Sequence, residues 1–182
     1  FLRPLGLRLD RMKTGFIGAG KVGFSLGKMF AESGLPLTGY YSRQREAAQE
    51  AAAFTGTRAY SDLCELVQDS DAIFLTVPDR AITPVYLELR SFSLSGKQIC
   101  HCSGALSARD AFPGIEETGA LGLSIHPLFP VSSRYDSYRE LADAFFCLEG
   151  EKSAIPAWKT QLECCGCTAV SVSSRRPSGL RK

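Results

Sequence analysis

The chain has 182 residues, 45% of them hydrophobic, and a net charge of +2. That is enough apolar sequence for one substantial core and the start of a second domain, while the small, scattered positive charge excludes a nucleic-acid footprint. No apolar run reaches the length of a bilayer span, so no membrane association is expected.

Residues 1–11 carry Arg3, Arg8 and Arg11 against a single acid and lack a secretory apolar region. They faintly resemble a transit peptide, but the expectation is an unstructured leader before Met12. Lys13-Thr14-Gly15-Phe16-Ile17 then reads as an apolar strand that runs into Gly18-Ala19-Gly20-Lys21-Val22-Gly23. In such a G-x-G-x-x-G turn the first glycine permits the tight turn, the second lets backbone N–H groups approach a pyrophosphate, and the third lets the helix pack closely on its strand. The pyrophosphate would sit on the positive end of a helix starting near Lys21. The triplet alone is weak; its context is what specifies it. Val22, Leu26, Met29 and Phe30 fall on one helical face, and Gly34 is a natural left-handed stop.

Leu35 to Ser42 is short, aromatic and β-branched, a second strand. Where an NAD site places an acid to hold the ribose 2′-OH, this chain has Ser42-Arg43-Gln44-Arg45. A hydroxyl and guanidinium groups suit a 2′-phosphate, although the arginines also read as a solvated helix start. An alanine-rich helix from Glu46 to about Phe54 ends near Gly56, and Ser61-Asp62 caps a short helix through Val67. Ala72 to Val77 is a continuous apolar run, typical of a central parallel strand buried on both faces. It stops at Pro78-Asp79, which fall beside the cofactor because ligands lie beyond the carboxyl ends of such strands. Asp79 reads equally as the N-cap of a helix from Ile82 to Leu89.

Lys97 to Cys102 is a further strand ending at Ser103-Gly104, Leu106 to Phe112 a short helix, and Ala120 to Ile125 a strand running into His126-Pro127. Ser103 and His126 each end a parallel strand on the ligand side, and they are the expected catalytic residues. Ser103 can hydrogen-bond the nicotinamide carboxamide or a substrate oxygen, and His126 can donate a proton; for His126 a buried imidazole fixing the turn before Pro127 is the structural alternative. Ala144 to Leu148, a helix from Ala154 to about Cys164, and a strand from Thr168 to Val172 complete an α/β layer structure with a doubly wound, mostly parallel sheet over residues 12–172. Seven cysteines without a secretion signal predict free thiols in a reducing, cytoplasmic setting. Cys100-His101-Cys102 and the cluster Cys164, Cys165 and Cys167 invite a metal reading. Neighbouring strand residues point to opposite faces, however, so no metal is expected and buried apolar thiols are.

Together, Gly18 to Gly23, Tyr41-Ser42-Arg43, Thr76-Val77-Pro78-Asp79-Arg80-Ala81-Ile82, His101 to Leu106 and Ser124-Ile125-His126-Pro127-Leu128 resemble Rossmann-like NADP-dependent oxidoreductases with a C-terminal helical domain. That group is similar to pyrroline-5-carboxylate reductase and the deazaflavin-linked NADP oxidoreductases. The resemblance spans about Lys13 to Val172. It implies a Rossmann-like NAD(P)-binding fold, NADP as cofactor, a small-molecule substrate and, in the complete architecture, a homodimer. The expected cofactor contacts are Gly18, Ala19, Gly20, Lys21, Val22, Gly23, Ser42, Arg43, Arg45, Val77, Pro78, Asp79, Ile82 and Ser103. Where the helical domain should continue, residues 173–182 are polar, basic and helix-poor, an expected disordered tail. The functional expectation is hydride transfer between NADP(H) and a small carbonyl or imine; the alternative is a nucleotide-binding module with little or no turnover.

Overall fold

The computed structural model describes residues 12–173, so the expected leader and all but the first residue of the expected tail lie outside the described residues. The centre of the sheet is β1 (Thr14–Ile17), which pairs in parallel with β2 (Leu37–Tyr41) on one side and β4 (Ala72–Leu75) on the other. Between them run α1 (Lys21–Glu32), α2 (Arg45–Thr55), β3 (Arg58–Tyr60) and α3 (Leu63–Asp69). The second half continues through α4 (Asp79–Leu89), β5 (Gln98–His101), α5 (Ala108–Ala111), a 3₁₀ turn at Ile115–Thr118 and β6 (Leu121–Pro127). It closes with α6 (Ser137–Leu141), β7 (Phe145–Gly150), α7 (Ile155–Cys164) and β8 (Thr168–Ser171). The strand order is β3-β2-β1-β4-β5-β6-β7-β8. It is parallel from β3 to β6; β7 then runs antiparallel to β6, and β8 parallel to β7. Crossing from β3 back to β4 reverses the winding at β1, and this switch point opens a crevice above the carboxyl ends of β1 and β4.

Alternation along each central strand feeds two cores. Phe16, Phe74, Cys100, Leu123 and Ile125 point to the side covered by α1, α2, α6 and α7, where Trp158 is fully buried. Ile17, Ile73, Leu75 and Ile99 point to the side covered by α3, α4 and α5. Because both faces are covered, the strands read as unbroken apolar runs. Gly18, Gly23 and Gly27, near the switch point, are packing requirements. A Cβ on Gly27 would overlap the Tyr40 hydroxyl, which donates to Gly23 O at 2.9 Å and ties α1 to β2.

Several elements depart from the sequence reading. β3 has only three residues, too few for alternation to show, and α6 lies in a polar stretch between two strands. β4 ends at Leu75; Thr76 makes one more backbone bond, to Ile17 O at 2.9 Å, and its Oγ1 donates to Gly18 O at 2.8 Å. Asp79 is not the N-cap of α4: Pro78 occupies that position, and Asp79 stands in the first turn, where its charge complements the helix dipole.

Candidate functional site

The cleft at the switch point encloses about 680 Å³ between the glycine loop, the end of β2 and the start of α4. Three glycines shape one wall, each for a different reason. Gly18 has φ of 103°, and a Cβ there would stand 2.5 Å from Thr76 O. A Cβ on Gly23 would meet Thr76 Oγ1 at 2.4 Å and Gly18 O at 2.7 Å, so this glycine lets α1 close on its strand. Gly20 differs. Its φ of −78° suits any residue, and a Cβ there would find no protein atom nearer than Thr76 O at 3.9 Å. Among the described residues nothing gives a packing reason for a glycine at this position, and the side chain it omits would project into open space. Gly20 is also the N-cap of α1 without a capping side chain, and no acid stands in the first turn. The first N–H groups of α1 are thus left for another acceptor, at the positive end of the helix dipole.

The cleft wall is basic. Lys21, Arg43 and Arg80 line it, and none is in an ion pair among the described residues, whereas Arg58, Arg90 and Arg139 each hold a carboxylate. The only carboxylate on the wall among the described residues is Glu88. Ser42 also faces the cleft, its Oγ accepting from Gln44 N at 3.2 Å, which leaves the hydroxyl hydrogen free to donate. Gln44 begins α2 with no capping side chain. The end of β2 thus offers a hydroxyl, a guanidinium and an uncapped helix start to an anion.

Of the sequence-predicted contacts, Gly18, Ala19, Gly20, Lys21, Ser42, Arg43, Val77 and Pro78 share this cleft. Val22, Gly23, Arg45, Asp79 and Ile82 do not line it: Ile82 is buried beneath α4, Gly23 is spent on helix packing, and Arg45 is exposed. Arg80 and Arg134 were not among the expected contacts. Arg80 follows from the helix beginning at Asp79, whose first turn faces the crevice. Arg134 reaches the glycine loop from a segment with no regular structure; its one local signal is the turn-forming Ser132-Ser133 and Asp136 ahead of Tyr138 and Leu141.

Ser103 and His126 form a second group beside this cleft, outside its wall. Because β5 pairs with β6 in the register His101↔Ser124, the two residues sit at neighbouring positions two steps further on. His126 Nδ1 donates to Cys102 O at 2.9 Å, since a carbonyl only accepts, so the neutral ring keeps its lone pair on Nε2. Gly104 lies flat against that ring; a Cβ there would stand 2.6 Å from Nε2. Ser103 is buried, and its Oγ accepts from Ala105 N at 3.1 Å.

His101 supports this loop from below. It is fully buried, packs edge-on to Phe112 with ring centroids 5.4 Å apart, and accepts Ser103 N at Nδ1 over 3.1 Å. Burial lowers its pKa to about 4, against the raising pull of the Ser107 backbone and the Asp79 charge. Unfolded, the same imidazole titrates near 6.5, so as pH falls from there towards 4 only the unfolded chain takes up the proton. The fold is expected to lose about 3 kcal/mol across that window, an order-of-magnitude figure from ~1.4 kcal/mol per pKa unit. Denaturant midpoints at pH 7, 5.5 and 4.5 measure it. In His101→Asn, which can still accept from Ser103 but does not titrate, the decline should flatten; parallel curves would remove His101 as its cause.

The cysteines are all free thiols. Cys100 and His101 point into opposite cores, and burial pushes the Cys102 thiol up to about 12. Cys164 and Cys167 do stand in C-x-x-C spacing. Cys164 is nevertheless exposed, while Cys167 is buried with its Sγ 3.2 Å from Leu141 O. Among the described residues no group of three or more His, Cys, Asp or Glu side chains is arranged to hold a metal ion.

The fold is shared with several solved proteins. An imine reductase from Bacillus cereus superposes with a TM-score of 0.70 at 20% identity, over 88% of this chain and 54% of its own. A reductive aminase from Aspergillus terreus, solved with NADPH and ethyl-5-oxohexanoate, gives 0.70 at 16% identity, over 89% and 55%. A protein from Thermotoga maritima gives 0.64 at 28% identity, over 88% and 57%. The chain thus spans little more than half the length of these relatives. No curated protein sequence matches it. The family model described as a Rossmann-like domain matches residues 3–127, well over half of the sequence and the whole of the glycine loop, switch point and parallel strands, and the chain belongs to that family.

Proposed function

We propose that residues 12–172 are the NADP(H)-binding domain of a cytoplasmic oxidoreductase that moves a hydride between NADPH and the carbon of a small carbonyl or imine. The observation that carries this reading is Gly20, a glycine that neither backbone nor packing requires, at an uncapped helix start facing a basic cleft. Arg43 beside Ser42, in no ion pair among the described residues, supports NADP over NAD. The imine reductase and reductive aminase among the similar folds support the substrate class, as does the resemblance to pyrroline-5-carboxylate reductase and the deazaflavin-linked oxidoreductases. When bound, the cofactor supplies a hydride from its nicotinamide ring. The chain's own part is to hold the phosphates on the amides of α1, to orient a carboxamide or substrate oxygen with the Ser103 hydroxyl, and, when the His126 ring has taken up a second proton from solvent at Nε2, to pass that proton to the developing alkoxide or amine and return to the neutral ring. Nδ1 is tied to Cys102 O, so only Nε2 of His126 is available for that transfer.

A second reading, a binding module with little turnover, is favoured by one feature. Next to His126, the face of β7 and β8 turned away from α7 leaves Phe145 and Val170 exposed at 55% and 43%. A substrate there has an open side, and loose placement by about 1 Å can cost on the order of a hundredfold in rate. NADPH consumption with a panel of keto and imino acids separates the two. Turnover is expected to fall on the order of 10²-fold or more in His126→Gln, with NADPH affinity retained. Undiminished kcat in that variant removes His126 from proton transfer, and NADPH binding without consumption by any substrate favours the module.

A further inference from the structure

Between β6 and α6 the chain leaves the far half of the sheet and lies over α1 and α2. It is fastened there at several points. Ser25 Oγ donates to Ser133 O at 3.3 Å, and the Tyr135 ring packs edge-on to Phe24 and Phe54 at 5.2 and 5.3 Å while its hydroxyl bonds Glu50. The strap carries Arg134 to the glycine loop. One terminal nitrogen donates to Ala19 O at 3.0 Å, the other holds Glu50 Oε2 at 3.0 Å, and the guanidinium lies 4.4 Å above the Phe24 ring.

Three features are more than a fastening needs. Arg134 lines the same cleft as Gly20 and Lys21. Its Nε is buried with no hydrogen-bond partner among the described residues. Of the five N–H groups of a guanidinium, the contacts to Ala19 and Glu50 use two. A planar donor fork 3.0 Å from the carbonyl between Gly18 and Gly20 stands where a diphosphate meets the amides of α1. We propose that Arg134 is a ligand of the cofactor's diphosphate, supplied by the strap from outside the glycine motif; the proposal rests on the dinucleotide reading of the cleft. Binding would then also seat the strap, because one side chain serves the diphosphate, the Ala19 carbonyl and Glu50.

Calorimetric titration with NADP⁺ and with 2′-AMP, which has the 2′-phosphate but no diphosphate, tests this against a purely structural role. Arg134→Gln should lower NADP⁺ affinity on the order of tenfold or more and leave 2′-AMP affinity unchanged. Glu50→Gln, which frees the guanidinium, should keep or raise NADP⁺ affinity. Equal losses for both ligands in Arg134→Gln, or a loss in Glu50→Gln matching that of Arg134→Gln, would mean that Arg134 only seats the strap. Undiminished NADP⁺ binding by Arg134→Gln overturns the proposal alone. Failure of the wild-type chain to bind either ligand overturns the dinucleotide reading itself.

Discussion

Gly20→Val is expected to keep the thermal stability of the wild-type chain and to lose nicotinamide dinucleotide binding by on the order of a hundredfold, roughly 3 kcal/mol. The two halves of this expectation have separate causes. A valine at position 20 can adopt the φ of −78° already present, and its Cβ has no protein atom within 3.9 Å, so folding is affected by no more than about 0.5 kcal/mol, as at an ordinary surface site. The added carbons fill the space through which an anion reaches the amides of α1. Gly23→Ala provides the contrast. Its Cβ would collide with Thr76 Oγ1 and the Gly18 carbonyl, a backbone group that cannot swing aside, so stability is expected to fall by about 1–3 kcal/mol. Melting curves and NADPH titrations on both variants check the pair. A destabilised Gly20→Val that still binds NADPH contradicts the assignment of the cleft.

Arg43→Ala is expected to weaken NADPH by about 1.5–3 kcal/mol, roughly ten- to a hundredfold, and to leave NADH nearly unchanged. The side chain is exposed and in no ion pair among the described residues, so removing it disrupts no internal contact, and the effect on folding should be negligible. An exposed charge–charge contact is screened by salt, so the preference for NADPH should shrink as ionic strength rises. Arg45 lies outside the cleft wall, and Arg45→Ala should change the preference far less. Equal losses in the two variants would show that the arginines act through net charge alone.

The glycine loop and the central strands were legible because local sequence specifies them. An unbroken apolar run, whose side chains go alternately to two cores, marks β4 as a central strand, and the spacing of Gly18, Gly20 and Gly23 encodes a turn, an opening and a close approach. β5 and β6 are neighbours in the sheet, and that Ser103 and His126 each follow a parallel strand was also legible. The strap was not. Arg134 meets Ala19 across 115 positions, and no local pattern marks which arginine of a polar segment will fold back. The end of β4 was misjudged for a related reason. Thr76 still bonds Ile17 O through its backbone N–H at 2.9 Å, but its side chain is committed to Gly18 O, a contact made 58 positions away, and the strand goes no further. His101 was legible as a strand residue and as part of a Cys-His-Cys string, but its support of Ser103 was not, because it depends on the turn that brings the Ser103 N–H back to its Nδ1.

The proposed function rests on a crevice above β1 and β4 that binds a nicotinamide dinucleotide and reads its 2′-phosphate. Titrating NADPH and NADH into the wild-type chain by calorimetry, at low salt and side by side, tests it most directly. Saturable one-to-one binding of NADPH is expected, at least about tenfold tighter than NADH. Binding of neither, or equal affinity for both, would contradict it.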